Sequence, residues 1–263
     1  MGGTRGIIVT PLDSSDGTGA NDFKTTADKI EKQMRSKGGC GAEGCSDVKR
    51  LNGLPPAGAT EPADVVVFVG HGGWDGPMDV NGTQWAGPNG DQSSDGQISP
   101  WVNQKEWPDE VARLRGAVKP GGLVVVDACH GAGSNADEPY QMAGSTVSPV
   151  TPTNHHSWAQ AVAKDAGVYA VGPQGTTGES WMPGMENYGV HGGAAPQQAG
   201  AYSPGGTEVK DWQNGGWAAH KKKTGCTSPS CGRPGPEVEV PAEEPAPPGR
   251  TEWVNGQAFE APR

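Results

Sequence analysis

Two short blocks of the sequence hold side chains able to do nucleophilic chemistry. VVVFVGHGG (65–73) closes an apolar run with His71 and two glycines, and VVVDACHG (124–131) closes another with Asp127, Cys129 and His130. A thiol beside an imidazole forms thiolate more readily, and thiolate is the species that attacks a carbonyl. Small residues flank both positions, so a substrate backbone can approach closely. The amide N–H groups of Gly72 and Cys129 are the candidates for holding the oxyanion that such an attack creates. Taken one at a time, each block has a plainer reading. A cysteine closing a buried strand is commonly a small core residue, and His-Gly is commonly a turn.

The elements around these blocks must bring them together for the chemistry to exist. RGIIVTPL (5–12) reads as a strand, TTADKIEKQMRSKGG (25–39) as an amphipathic helix with a glycine stop, and DVKRLNG (47–53) as a short edge strand. ADVVVFVGHGG (63–73) is apolar throughout, as strands buried on both faces are. MDVNGTQW (78–85) places Asn-Gly between two β-capable runs and predicts a hairpin. WPDEVARLRGAVKPGG (107–122) reads as a helix, LVVVDAC (123–129) as the next buried strand, HHSWAQAVAKDAG (155–167) as a helix and VYAVGP (168–173) as a strand. Strand and helix alternate, which predicts a three-layer α/β domain with a mainly parallel sheet. In such sheets functional groups gather beyond the carboxyl ends of the strands, where both reactive blocks end.

The ordered pair of blocks resembles the caspase-like cysteine peptidases: an apolar block ending in His-Gly, then roughly fifty to sixty residues on another ending in Ala-Cys. DACHG (127–131) is most similar to the metacaspase form of the cysteine block, although the usual serine before the glycine is absent. SWAQAVAKDAGVYAVGPQGTT (157–177) resembles the segment that follows the cysteine in the bacterial toxin-type members. The resemblance covers about residues 5–180. It implies a caspase-like fold with long Gly/Pro-rich loops, endopeptidase activity, His71 as general base and acid, and Cys129 as nucleophile. It also implies a protein or peptide substrate, and a setting in a larger toxin or effector system. Asp127 matches the metacaspase position in the S1 pocket that selects Arg or Lys at P1, and a carboxylate can pair a guanidinium bidentately. The plainer role for Asp127 is to cap a backbone turn. No cofactor is required, and calcium enters only through Asp75 and Asp91, on the loops after His71, as in some metacaspases.

Two rival readings stay open. In a cysteine-nucleophile α/β-hydrolase, GHGG (70–73) would form an oxyanion loop and the base would be His155, His156, His191 or His220. No G-x-S-x-G occurs, however, and Asp127 stands where the elbow has glycine. The other rival is a catalytically silent caspase-like module that binds or assembles. Beside these two stands a structural or phage-particle protein rich in glycine and tryptophan, whose nine tryptophans could furnish a binding surface, but core and loop anchoring is their simpler use.

Bulk properties bound the rest. A chain of 263 residues can bury a sizeable core, and its formal charge of −10 argues against a nucleic-acid partner. No apolar stretch is long enough to span a membrane, and the N-terminus lacks a secretory h-region, so export would need another route or a removed leader. Forty-three glycines and 24 prolines predict long loops. Residues 1–180 read as the peptidase core and 181–232 as a loop-rich extension of the same domain. In 233–263, a linker alternating proline with acid leads into a tail, TEWVNGQAFEAP (251–262), able to return as β-structure. Arg233 and Arg250 flank that linker as basic sites for self-processing. Four of the five cysteines form C-x4-C pairs, Cys40 with Cys45 and Cys226 with Cys231. Disulfides within or across the pairs, a four-cysteine zinc site and free thiols all remain open, and disulfides would favour an oxidising compartment.

Overall fold

The computed structural model describes residues 3–10, 20–73, 76–78, 107–128, 131–132, 157–174, 188, 199–210, 212, 216–217, 251–254 and 257–260. Its elements in chain order are β1 (Arg5–Val9), α1 (Ala20–Arg35), β2 (Asp47–Leu51), β3 (Ala63–Val69), β4 (His71–Gly73), β5 (Gly76–Met78), α2 (Trp107–Ala117), β6 (Val118–Asp127), α3 (Trp158–Ala166), β7 (Tyr169–Pro173), β8 (Ala199–Ser203), β9 (Thr207–Glu208), β10 (Thr251–Val254) and β11 (Gln257–Glu260). One seven-stranded sheet runs in the order β2-β1-β3-β6-β7-β8-β9. Its first five strands are mutually parallel, and β8 and β9 are added antiparallel. The fold is therefore α/β with a mainly parallel sheet, as the alternation of apolar runs and helices predicts.

The sheet is buried on both faces, which explains why its central strands are apolar without alternation. Ile7, Val9, Val66, Phe68, Val124 and Val126 pack against Leu114 of α2 and Trp158 and Val162 of α3. Ile8, Val65, Val67, Val69, Leu123 and Val125 face the other way, toward Ala27, Ile30 and Met34 of α1. Those three helix residues recur every three or four positions, so they line one side of α1. Each fully buried aliphatic side chain contributes about 1.5–3 kcal/mol, so the central strands supply much of the stability. Phe68 meets Trp158 edge-on at 5.2 Å, and the Trp107 indole N–H donates to Asp165 Oδ2 at 2.8 Å, joining α2 to α3.

Several boundaries differ from the sequence reading for identifiable reasons. The helix read as 107–122 ends at Ala117, and β6 begins at once, pairing Val118 with Ala63. A bulge then shifts the register before Leu123 meets Val65, and Gly121, at φ 73°, supplies the left-handed turn this needs. KPGG is therefore a bulge inside a strand rather than a helix stop. α1 starts earlier than expected, at Ala20, and α3 is bounded by Ser157 and Gly167. The Ser157 hydroxyl accepts from Gln160 N–H, while Gly167 turns into the left-handed region at φ 70°.

The Asn-Gly hairpin expected at 78–85 lies outside the described residues beyond Met78. A hairpin is instead found just before it: β4 and β5 pair antiparallel, His71 opposite Met78 and Gly73 opposite Gly76. Past residue 180, β8 and β9 extend the main sheet, and Tyr188, Trp212 and Trp217 fill the α1 side of the core. The tail forms a hairpin of its own, β10 with β11, in a separate two-stranded sheet.

Candidate functional site

The two reactive blocks close neighbouring strands. β3 and β6 lie side by side and parallel, with Val69 opposite Asp127, and Gly70 N–H donates to Asp127 O at 3.2 Å. His71 follows Val69 by two residues and Cys129 follows Asp127 by two. Of His71 the structure describes the backbone, which opens β4. Cys129 and His130 lie outside the described residues, as do Asp75, Asp91, His155, His156, His191, His220, Cys226, Cys231, Arg233 and Arg250.

The chain on either side of Cys129 is tightly held. Gly131 N–H donates to Ala128 O at 3.2 Å, Ala132 N–H to Pro173 O at 2.8 Å, and Ala159 N–H, at the start of α3, to Gly131 O at 3.0 Å. Gly131 has no room for a side chain, since a Cβ there would stand 2.5 Å from Val126 Cγ1. The glycine after the cysteine block is thus required by packing against β6, and the segment is tied to β7 and α3 together.

The backbone at Gly72 bears on the expected oxyanion site. Gly72 pairs with Pro77, and only two residues separate Gly73 from Gly76. In such a hairpin the pair next to the turn exchanges the hydrogen bonds, and the next pair outward does not. Pro77 also has no N–H to give. The Gly72 N–H therefore points away from its partner strand.

Asp127 is the charged group at this edge. Along β6, Leu123 and Val125 face the α1 side, and strand alternation puts Asp127 on that side too. It is 7% exposed, and its Oδ2 has no hydrogen-bond partner among the described residues. Burial pushes its carboxyl up to about 7. Desolvation disfavours the charged form, so Asp127 is poised between neutral and ionised near neutrality. A cation arriving there would complete the carboxylate.

Sequence reasoning did not single out Thr10 or Tyr188. Thr10, next after β1, is 3% exposed with Oγ1 unpartnered among the described residues. Its signal was a polar residue closing the apolar run GIIV at a carboxyl strand end. Tyr188 is fully buried, with a hydroxyl unpartnered among the described residues and a left-handed backbone at φ 63°, and its carbonyl accepts from the Trp212 indole at 2.9 Å. No local pattern marks it.

Among the cysteines, Cys40 and Cys45 form a disulfide within their pair. It closes the loop between α1 and β2, and Cys45 N–H donates to Met34 O at 2.7 Å. A zinc site using all four paired cysteines is thereby set aside for these two. Among the described residues no three His, Cys, Asp or Glu side chains gather as metal ligands, and no helix is long and apolar enough to cross a membrane. Comparison with family models, with curated proteins and with solved structures finds no match to this chain.

Proposed function

We propose that the protein is a cysteine endopeptidase of caspase-like fold, with Cys129 as nucleophile and His71 as general base and acid, cleaving after arginine or lysine. The observation that carries this reading is the parallel pairing of β3 with β6 in the register Val69 to Asp127. It ends two neighbouring strands at one level, each two residues short of a dyad member. The outward Gly72 N–H supports an oxyanion site, and the buried Asp127 carboxyl, whose Oδ2 has no partner among the described residues, supports a basic P1 residue. The thiolate attacks the scissile carbonyl, the imidazole gives a proton to the leaving amine, and water then releases the acyl group with the imidazole as base.

The test is incubation of the purified chain with fluorogenic peptides ending in Arg, Lys or Asp, with and without calcium. Cleavage after Arg and Lys that disappears in Cys129→Ala is the expected result, and self-cleavage is expected at Arg233 or Arg250. Cuts confined to Asp or neutral residues would remove Asp127 from the specificity pocket. Absence of any turnover by the intact chain would favour a binding module.

A further inference from the structure

Two buried polar side chains at the carboxyl edge of the sheet lack partners among the described residues, and register places them together. Thr10 N–H donates to Leu51 O at 2.9 Å, so Thr10 continues the ladder of β1 on β2. The proline next in sequence disfavours the helical region at Thr10. Alternation then puts its side chain on the face of Ile8, which is the α1 side. Val9 stands opposite Phe68, so Thr10 is level with Val69, and Val69 is opposite Asp127. Thr10, Val69 and Asp127 form one row across three neighbouring strands, all facing one way.

This row lies where the sheet changes direction. From β1 the chain goes outward to β2, and from β3 it goes the opposite way to β6. Open parallel sheets hold their ligands at that switch, beyond the carboxyl ends. A buried hydroxyl and a buried carboxyl oxygen without a hydrogen-bond partner each cost stability. They are the groups a polar ligand would complete.

We propose that Thr10 and Asp127 are the two walls of a guanidinium site with Val69 as its apolar floor, and that Thr10 makes the protein prefer arginine to lysine. The proposal rests on the peptidase reading in taking the guanidinium to be the P1 side chain. Strands one apart are separated by about 4.8 Å, so the Thr10 and Asp127 backbones stand about 10 Å apart. A guanidinium donating from opposite edges spans acceptors about 8 Å apart, which side chains leaning inward can meet. A single ammonium nitrogen spans about 5 Å between acceptors and reaches only one wall at a time. Asp127 therefore attracts either cation, while Thr10 rewards only the planar one.

The test measures binding by calorimetry of N-acetyl-arginine amide and N-acetyl-lysine amide to the full chain carrying Cys129→Ala, which cannot turn over. The same titration is made with Thr10→Val or Thr10→Ser added, and the Arg-to-Lys ratio of kcat/KM is measured with Cys129 intact. Thr10→Val should weaken the arginine amide about tenfold or more, leave the lysine amide unchanged, and be rescued by Thr10→Ser. Thr10→Ala gives the same readout should valine perturb the fold. Equal loss for both amides, no loss for either, or no binding of either amide to the Cys129→Ala chain would overturn the proposal. The two readings separate cleanly. Thr10-dependent arginine binding without any peptide cleavage keeps the site and removes the peptidase, whereas cleavage after arginine that ignores Thr10→Val does the reverse.

Discussion

Burying Asp127 with no partner for Oδ2 among the described residues makes the stability of the protein depend on pH in an unusual direction. Its carboxyl is pushed up to about 7 by burial, above the ordinary value of 3.8. The folded state therefore holds the proton more tightly than the unfolded chain does, and stability falls as pH rises from about 4 through about 7. At 1.36 kcal/mol per pH unit the full loss is about 4 kcal/mol, of which about 2–3 kcal/mol falls between pH 5 and pH 8. Asp28 shifts the opposite way, held low by hydrogen bonds from Arg50 and Lys24, and completes its titration below that window. Tyr188 lies on the same face, and burial pushes its phenol further up, out of that window. Urea unfolding at pH 5 and pH 8, for the native chain and for Asp127→Asn, isolates the effect. The native chain should lose about 2–3 kcal/mol more than the variant between the two pH values. Equal losses in both proteins would show that Asp127 is not held as an unpaired buried acid.

Three further outcomes follow from the same geometry. Because Asp127 must release its proton to pair with a cation, affinity for N-acetyl-arginine amide should rise about tenfold per pH unit from 5 to 7 and level off above, by calorimetry. Replacing both Cys40 and Cys45 by serine should cost about 2 kcal/mol in urea unfolding, since the disulfide closes only a short loop, and should leave peptide cleavage intact. Gly131→Ala should destabilise by about 1–3 kcal/mol and sharply reduce cleavage, because its methyl group would collide with Val126 and shift the segment tied to Pro173 and Ala159.

The parallel core was legible because strands buried on both faces have to be apolar throughout: Val65–Val69 and Leu123–Val126 admit little else, and the helices between them carry ordinary periodicity and caps. The bulge in β6 was hidden because Lys119-Pro120-Gly121-Gly122 has the composition of a helix stop, and only the partner strand shows that pairing starts at Val118. The hairpin β4–β5 was missed for a similar reason. Its turn carries no Asn-Gly, and the strong turn dipeptide further on drew the prediction there. Asp127 could be singled out from its place beside the cysteine. Thr10 had only its place after the apolar run GIIV, and its meaning depends on a register between strands about sixty residues apart that no local pattern records. The strands beyond residue 180 were faint because β8 is AGAYS, a glycine- and alanine-rich strand packed where larger side chains do not fit: a Cβ on Gly200 would stand 2.8 Å from Ala132 Cβ.

The central claim is that His71 and Cys129 act as one catalytic unit, and its most direct test is steady-state cleavage of an arginine-ended fluorogenic peptide by the native chain, His71→Ala, Cys129→Ala and the double variant. Residues that act as a unit lose activity together and not additively. Each single variant should therefore fall by about a thousandfold or more, to the same residual rate as the double variant. A His71→Ala protein that keeps most of its activity, while Cys129→Ala loses it, would contradict the account by placing the base elsewhere in the chain.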